Sequence, residues 1–273
     1  MRVVAPDAPE LGAGLPLTRM PAHWMLGRLG KRVMRPGGLA PSLEMLASLA
    51  IGPDDDVVEL WPGLGITTGH AIRPGPRSYV GIERGEAEAA RARQFLTGPS
   101  RRCNVAPAHR TGLADAAASV VFGEALLTLE PASRKRAIVA EAARLLRPGG
   151  RYGVHELLLR PDTLTEAAKD DIERTLTRVL KVGARPLTRP EWEQLLVDGG
   201  FQPTYLGTGG LLLLEPASFV KDEGVGGTLR FLGNTLRNPS VIPRLAEIWR
   251  TFGRYADNLG SIVITARYPG PDS

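Results

Sequence analysis

The sequence is poor in the residues that make disulfides and metal sites. Of its 273 residues one is cysteine, Cys103, and four are histidines scattered along the chain. A single cysteine excludes an intramolecular disulfide, so a reducing cytoplasm is the expected compartment. Dispersed histidines without a cysteine pair do not have the spacing of metal ligands. The sequence therefore predicts no metal site.

Long hydrophobic runs are also missing. No continuous apolar run exceeds that of residues 211–214, whereas a membrane-spanning helix needs about 18 to 20 such residues. Residues 1–16 contain scattered prolines and glycines without a continuous apolar core, so no secretory signal is expected. Neither a membrane span nor a leader segment is predicted.

The charge of the chain is positive but not concentrated. The formal net charge is +5, and excess positive charge can attract nucleic acids or anionic substrates. The arginines are, however, spread along the chain, and no basic tract is interleaved with aromatic residues. The distribution argues against nucleic acid as the partner. A hydrophobic fraction of 43% is typical of a globular protein with a sizeable core.

The first 160 residues alternate between strand-like and helix-like segments. Residues 1–20 resemble a flexible arm rich in proline and glycine, and residues 21–52 a helical cap with helices at 21–34 and 42–50. Strands are predicted at 57–60, 79–83, 104–106, 119–122 and 151–159, with helices at 66–72, 86–96 and 134–146 between them. This alternation predicts an α/β fold, a Rossmann-like parallel sheet with helices on both faces.

After residue 160 the pattern changes. Helices are predicted at 163–182, 189–198, 218–236 and 241–256, and strands at 201–206, 211–215 and 261–268. Residues 218–258 therefore form a helical insertion before the last strand, within one domain that spans residues 21–273. Its aromatic and apolar residues predict either a lid over a substrate pocket or a dimer contact.

A glycine-rich turn follows the first predicted strand. The segment from Glu59 to Gly65 reads Glu-Leu-Trp-Pro-Gly-Leu-Gly, and its glycines allow the backbone to approach a ligand closely. A phosphate-binding P-loop is rejected because no lysine and serine or threonine follow the second glycine. A dinucleotide fingerprint is disfavoured because Thr68 stands at the third glycine position. An acidic residue before spaced glycines instead fits a methyltransferase motif.

In these residues the chain resembles the class I S-adenosylmethionine-dependent methyltransferases, of the bacterial small-molecule type, over roughly residues 56–157. Glu59, Gly63 and Gly65 match the first motif, and Trp61 replaces its usual first glycine. The resemblance implies that this loop lies against the amino-acid end of S-adenosylmethionine. An acidic residue at the end of the second strand, Glu83, is then expected to accept hydrogen bonds from the ribose hydroxyls.

The resemblance weakens in the third motif. Pro107 stands where many family members have an aspartate that contacts adenine. The backbone near Ala108, or the side chain of His109, is the predicted replacement. At the end of the fourth strand, Glu124 is expected close to the transferred methyl group or the substrate, with a solvated helix start as its alternative role.

Methyl transfer from a sulfonium depends largely on positioning, and a base is needed only when the acceptor must lose a proton. The base candidates at the sheet edge are His155 and Glu156. His23 and Trp24, on the first helix, are candidates for capping the substrate.

The sequence thus predicts a methyltransferase that moves a methyl group from S-adenosylmethionine, leaving S-adenosylhomocysteine, to a small-molecule acceptor. The alternatives are an RNA methyltransferase, a non-catalytic S-adenosylmethionine-binding protein and an NAD-dependent oxidoreductase. A homodimer through the helical insertion also remains open.

Overall fold

A computed structural model describes residues 12–211 and 216–271. The strands are β1 Asp56–Leu60, β2 Ser78–Glu83, β3 Arg101–Val105, β4 Ala118–Glu124, β5 Leu146–Leu159, β6 Leu187–Thr188, β7 Gln202–Gly210 and β8 Leu259–Arg267. The helices are α1 Ala22–Leu29, α2 Leu39–Leu49, α3 Ile66–Ala71, α4 Glu86–Arg93, α5 Ala132–Leu145, α6 Glu166–Leu180, α7 Arg189–Asp198, α8 Pro216–Arg237 and α9 Ile242–Arg254.

The strands form one mixed sheet in the order β3-β2-β1-β4-β5-β8-β7, with β6 paired to β5. The strands from β3 to β5 are mutually parallel, whereas β8 is antiparallel to both β5 and β7. The chain order reverses between β1 and β4, and ligands of open α/β sheets bind outside the carboxyl ends of the strands at such a reversal. This topology confirms the predicted Rossmann-like α/β fold.

The sheet is buried on both faces because helices cover it on both sides. Val120, Val121 and Phe122 of β4 are fully buried, and strands buried on both faces are continuously apolar. A further apolar core lies beyond one end of the sheet, where α1, α6, α8 and α9 pack around Leu157 and Leu159 of β5. The predicted insertion at 218–258 therefore covers this end of the sheet.

Several predicted boundaries are wrong for local reasons. The first helix ends at Leu29 rather than Met34, because Gly30 adopts a left-handed conformation with φ 108°. The predicted stop at 147–150 lies inside β5, since the backbone of Gly149 donates to the carbonyl of Tyr268 at 2.7 Å and extends the strand. The helix predicted at 218–236 is kinked at Gly224, which has φ 72°.

The N-terminal arm is packed over the part that is described. Residues 12–20 form turns, and Met20 is fully buried. The carbonyls of Leu17 and Thr18 accept hydrogen bonds from Arg244 and Lys181. Residues 12–20 of the predicted arm therefore contact α9 and the residue that follows α6, while residues 1–11 lie outside the described part.

Residues 212–215, most of a predicted strand, also lie outside the description. Along the described ranges, no helix combines the length and apolarity needed to cross a bilayer. The described residues likewise contain no cluster of histidine, cysteine and carboxylate side chains suited to a metal ion.

Candidate active site

A cavity, here called the edge cavity, opens at the carboxyl ends of β1, β2 and β4. Its walls come from the glycine turn after β1, from the ends of β2 and β4, and from α1 with the loop that follows it. The lining residues are His23, Trp24, Arg32, Met34, Arg35, Trp61, Gly63, Leu64, Glu83, Arg84, Glu88, Glu124, Ala125 and Leu129. The edge cavity occupies the reversal point at which the fold predicts a ligand.

The turn after β1 holds three residues in the left-handed region. Trp61 has φ 59°, Gly63 has φ 62° and Gly65 has φ 74°. A side chain on Gly65 would collide with the ring of Phe95, so glycine is required there on two counts. Trp61 accepts the less common conformation and presents its ring to the edge cavity.

The ring of Trp61 contacts a cationic side chain. The guanidinium of Arg84 lies over it at 4.7 Å from the centroid, a distance typical of a cation–π interaction. The indole Nε1 of Trp61 is buried and has no hydrogen-bond partner in the described structure. A buried donor without a partner is costly, so this wall of the edge cavity is suited to a ligand that supplies an acceptor.

Glu83 lies at the end of β2 and is held by the glycine turn. Its Oε1 accepts a hydrogen bond from the backbone N–H of Gly63 at 2.5 Å. Burial raises the pKa of Glu83 to about 7, and the bond from Gly63 only partly offsets this effect. Among the described contacts its second carboxylate oxygen accepts no hydrogen bond, so it can accept one from a hydroxyl group in the edge cavity.

Glu124, at the end of β4, is the centre of a buried network. Arg35 donates to it through Nε at 3.0 Å, and Nδ1 of His155 lies 2.8 Å from its other oxygen. Burial opposes ionisation of Glu124, but the charge of Arg35 and the contact with His155 outweigh it and hold its pKa well below the usual range. The network keeps a negative charge in the wall of the edge cavity.

His155 and Glu156 do not line the edge cavity. His155 is fully buried, and its Nε2 lies 2.6 Å from the carbonyl of Pro36. Glu156 accepts hydrogen bonds from the backbone N–H groups of Leu126, Leu127 and Thr128 at 2.8 to 3.0 Å. The two residues predicted as bases thus each contact a loop at the carboxyl edge rather than the edge cavity.

Glu59 is also turned away from the edge cavity. It is buried and accepts hydrogen bonds from the hydroxyls of Thr68 and Tyr79, both at 2.5 Å. Burial raises its pKa to about 7. The carboxyl group ties α3 to β1 and β2, which orients the glycine turn.

The two residues predicted to contact adenine are not part of the lining. Ala108 is buried in the core beneath the sheet, and the ring of His109 pairs with the guanidinium of Arg134. Trp61, Arg84 and Glu88 do line the edge cavity. The loop after β3 turns toward α5, whose Glu141 accepts a hydrogen bond from the backbone of Thr111.

A second cavity, the apolar chamber, adjoins the first. The two share His23, Met34, Ala125 and Leu129. The remaining lining of the chamber comprises Ala22, Leu26, Pro36, Thr128, Leu157, Leu180, Val182, Ala184, Ile248 and Phe252. Its only polar side chains in the described structure are those of His23 and Thr128. The chamber is thus suited to an apolar molecule.

His23 stands between the two cavities, and the ring of its neighbour Trp24 contacts it edge-on at 5.6 Å between centroids. Burial, together with the charge of Arg84, lowers the pKa of His23 to about 4. The imidazole is therefore neutral at physiological pH and can accept a proton or a hydrogen bond. The structure places both predicted substrate residues, His23 and Trp24, in the wall of the edge cavity.

Arg35 is the site residue that the sequence did not suggest. It follows α1 in a segment that reads as a helix stop, Arg35-Pro36-Gly37-Gly38. Because its partner Glu124 lies 89 residues away, only the tertiary fold brings the pair together.

Part of the chain is similar to a known protein family. Residues 59–154 match the family model described as a methyltransferase domain. A protein of Haemophilus influenzae with an uncharacterized function is 27% identical over 219 residues, which cover 79% of this chain and 85% of that protein.

The fold recurs in solved structures. The [4+2]-cyclase SpnF has a TM-score of 0.65 and 20% identity, with 84% of this chain and 81% of that chain covered. Geranyl diphosphate C-methyltransferase of Streptomyces coelicolor, solved with S-adenosyl-L-homocysteine, has a TM-score of 0.59 and 16% identity, with coverages of 84% and 77%. The matched residues 59–154 contain the glycine turn and the parallel strands that form the edge cavity, so this part of the chain is similar to a methyltransferase domain.

Proposed function

We propose that the chain transfers a methyl group from S-adenosylmethionine to a small, largely apolar acceptor held in the apolar chamber. The observation that carries this proposal is that the edge cavity and the chamber share a wall of four residues. A cofactor in the first cavity and an acceptor in the second would meet at this wall, where His23 stands.

The side chains of the edge cavity fit the cofactor. Glu83 offers a carboxylate oxygen to the ribose hydroxyls, and Trp61 offers an indole N–H and an aromatic face. Arg32 and Arg35 supply positive charge for the carboxylate of the amino-acid end. Glu124 supplies a negative charge for its ammonium and sulfonium groups.

S-adenosylmethionine supplies a methyl group that is already activated by its positive sulfur. The protein therefore has to position the acceptor, remove water from the acceptor and, for some acceptors, allow a proton to leave. The apolar walls of the chamber exclude water and orient the acceptor. His23, kept neutral by burial that lowers its pKa to about 4, is placed to accept a hydrogen bond from the acceptor molecule.

We also infer that the protein works in a reducing compartment such as the cytoplasm. Its one cysteine, Cys103, is buried, and burial raises the pKa of the thiol to about 12. A thiol in this state is a packing group rather than a nucleophile or a disulfide partner.

Cofactor binding is tested by calorimetry with S-adenosylhomocysteine. Loss of a charged acceptor costs about 1.5 to 3 kcal/mol, so the Kd should rise by about one to two orders of magnitude in Glu83→Gln. Glu86→Gln changes a carboxylate with an exposed side chain on α4 and should bind like the wild type. No binding to the wild type would overturn the proposed cofactor site, whereas equal binding by both variants would overturn only the ribose assignment.

The acceptor site is tested by labelled methyl transfer to a fractionated metabolite extract. Val182→Phe should fill the chamber and abolish labelling while S-adenosylhomocysteine still binds. Val197→Phe, at an exposed position on α7, is the matched control. Labelling that persists undiminished in Val182→Phe would place the acceptor elsewhere.

A further inference from the structure

A cationic cleft lies on the outer surface between α6 and α9, away from the edge cavity. It has a volume of about 640 Å³ and combines five cationic side chains with one carboxylate among its described lining. The charged members are Arg178, Lys181, Arg244, Arg250, Arg254 and Glu247. The cleft is separate from the apolar chamber, because Ile248 and Phe252 line the chamber from another face of α9.

Arg244 is the unusual member of this group. Its residue is 8% exposed, and its Nε and Nη2 have no hydrogen-bond partner in the described structure. Its Nη1 donates to the backbone carbonyl of Leu17 at 3.0 Å, and no described carboxylate pairs with it. Burial lowers the pKa of this guanidinium and the charge of Glu247, which lies too far away to form an ion pair, only partly offsets the effect; an arginine nevertheless keeps its charge in proteins. A buried, unpaired charge is strongly unfavourable unless a counter-charge is supplied.

The other cations of the cleft do not have carboxylate partners either, with one exception. Arg178 pairs with Glu247 at 2.8 Å across the two helices. Lys181 donates to the backbone carbonyl of Thr18, and the Nε of Arg250 donates to the carbonyl of Ala246. These bonds to neutral oxygens leave the positive charge uncompensated. The cleft therefore has an excess of charge and donors that an anion would satisfy.

We propose that the cleft between α6 and α9 is a binding site for a phosphate-type anion, with Arg244 at its base and Arg250 and Arg254 at its mouth. Guanidinium groups bind phosphate oxygens through two parallel hydrogen bonds, which lysine cannot do. Thr18 of the N-terminal segment and Ser240, which lies just before α9, also line the cleft. Binding of the anion would stabilise the contact between the N-terminal segment at Thr18 and α9.

The first experiment measures binding of inorganic pyrophosphate by calorimetry and by thermal unfolding. Pyrophosphate should raise the Tm of the wild type, and added salt should reduce its affinity. In Arg250→Gln/Arg254→Gln the Kd should rise at least tenfold. Arg230→Gln, at an exposed position on α8 outside the cleft, should retain wild-type binding.

Arg244→Met tests whether Arg244 binds the anion or only affects the stability of the fold. The methionine removes the unpaired charge and keeps an unbranched side chain. Pyrophosphate should therefore no longer raise the Tm of this variant, whether its Tm in the absence of pyrophosphate is higher or lower than that of the wild type. The double variant gives the same test if Arg244→Met does not fold.

A second arm identifies the source of the phosphate. Flotation with vesicles of phosphatidylglycerol and phosphatidylcholine tests a lipid headgroup, and the same variants apply. Pyrophosphate binding without flotation indicates a soluble phosphate ligand, whereas flotation that is lost in the double variant indicates a lipid headgroup. The absence of both, or binding that none of the cleft variants weakens, would overturn the proposal.

Discussion

Arg35 and Glu124 form an ion pair, 3.0 Å from Nε to Oε2, that joins the loop after α1 to the carboxyl end of β4. The pair is almost entirely shielded from solvent on the Glu124 side, where the side chain is 1% exposed. Arg35 also reaches the carbonyl of Pro62 in the glycine turn, at 3.4 Å. One side chain thus connects the helical cap, the fourth strand and the turn that forms the edge cavity.

Replacing Arg35 should weaken cofactor binding. Arg35→Gln removes a charge from the cavity wall and releases the loop, and we expect S-adenosylhomocysteine to bind about tenfold more weakly, or ~1.4 kcal/mol. Calorimetry measures the change. Arg136→Gln, exposed on α5, provides the comparison, and equal Kd values in the two variants would contradict the role given to Arg35.

Glu124 should make stability depend on acidic pH. Its folded pKa lies below the unfolded value, so its contribution to the free energy of unfolding is present above the unfolded pKa. The contribution is lost as pH falls through the folded pKa. Breaking a buried pair costs about 3 to 5 kcal/mol, so Glu124→Gln should unfold at lower urea at pH 7. A stability gap that stays constant from pH 7 into the acid range would disagree with this account.

Glu59 should have the opposite effect on the pH dependence of stability from Glu124. Burial raises its folded pKa to about 7, so the folded state retains a proton that the unfolded state loses near its lower pKa. Stability therefore falls as pH rises from about 4.5 to about 7, by up to ~3 kcal/mol at ~1.4 kcal/mol per pKa unit.

Glu59→Gln should flatten this part of the curve of unfolding free energy against pH, because the amide does not ionise and its oxygen can still accept from Thr68 and Tyr79. Glu83, whose pKa is also about 7, should leave a residual slope. An unaltered slope would show that Glu59 is ionised throughout.

Glu156 should matter for stability rather than for the reaction. Glu156→Gln leaves at least one of three buried backbone N–H groups without an acceptor, which costs about 1 to 3 kcal/mol. Urea unfolding should show this loss, while kcat per folded molecule should change less than twofold. A large fall in kcat at unchanged stability would restore Glu156 as a base.

The fold and part of the lining of the edge cavity could be predicted because local signals carry them. Apolar runs separated by glycine turns fixed the parallel strands, and Glu83 was found from its place at the end of β2. Arg35 was missed because its sequence context predicts only a helix end, and its partner is distant in the chain. His155 and Glu156 were expected near the chemistry because the sequence places them at the sheet edge but does not show what buries them.

The apolar chamber was less predictable still. Its walls come from α1, α6 and α9, whose apolar faces could equally have formed a dimer contact. Ile248 and Phe252 face inward, whereas Trp249, the residue between them along the helix turn, is 49% exposed. Which face of α9 packs inward depends on the position of β5 and α6, and no local pattern encodes that position.

The wall shared by the two cavities has a thermodynamic consequence. Under the proposed function, an acceptor in contact with His23, Met34, Ala125 and Leu129 alters the surface that the cofactor meets. Linkage is reciprocal, so whatever factor the acceptor applies to the cofactor's affinity, the cofactor applies to the acceptor's. A saturation curve measured with either ligand alone then describes a different equilibrium from the one that operates during turnover.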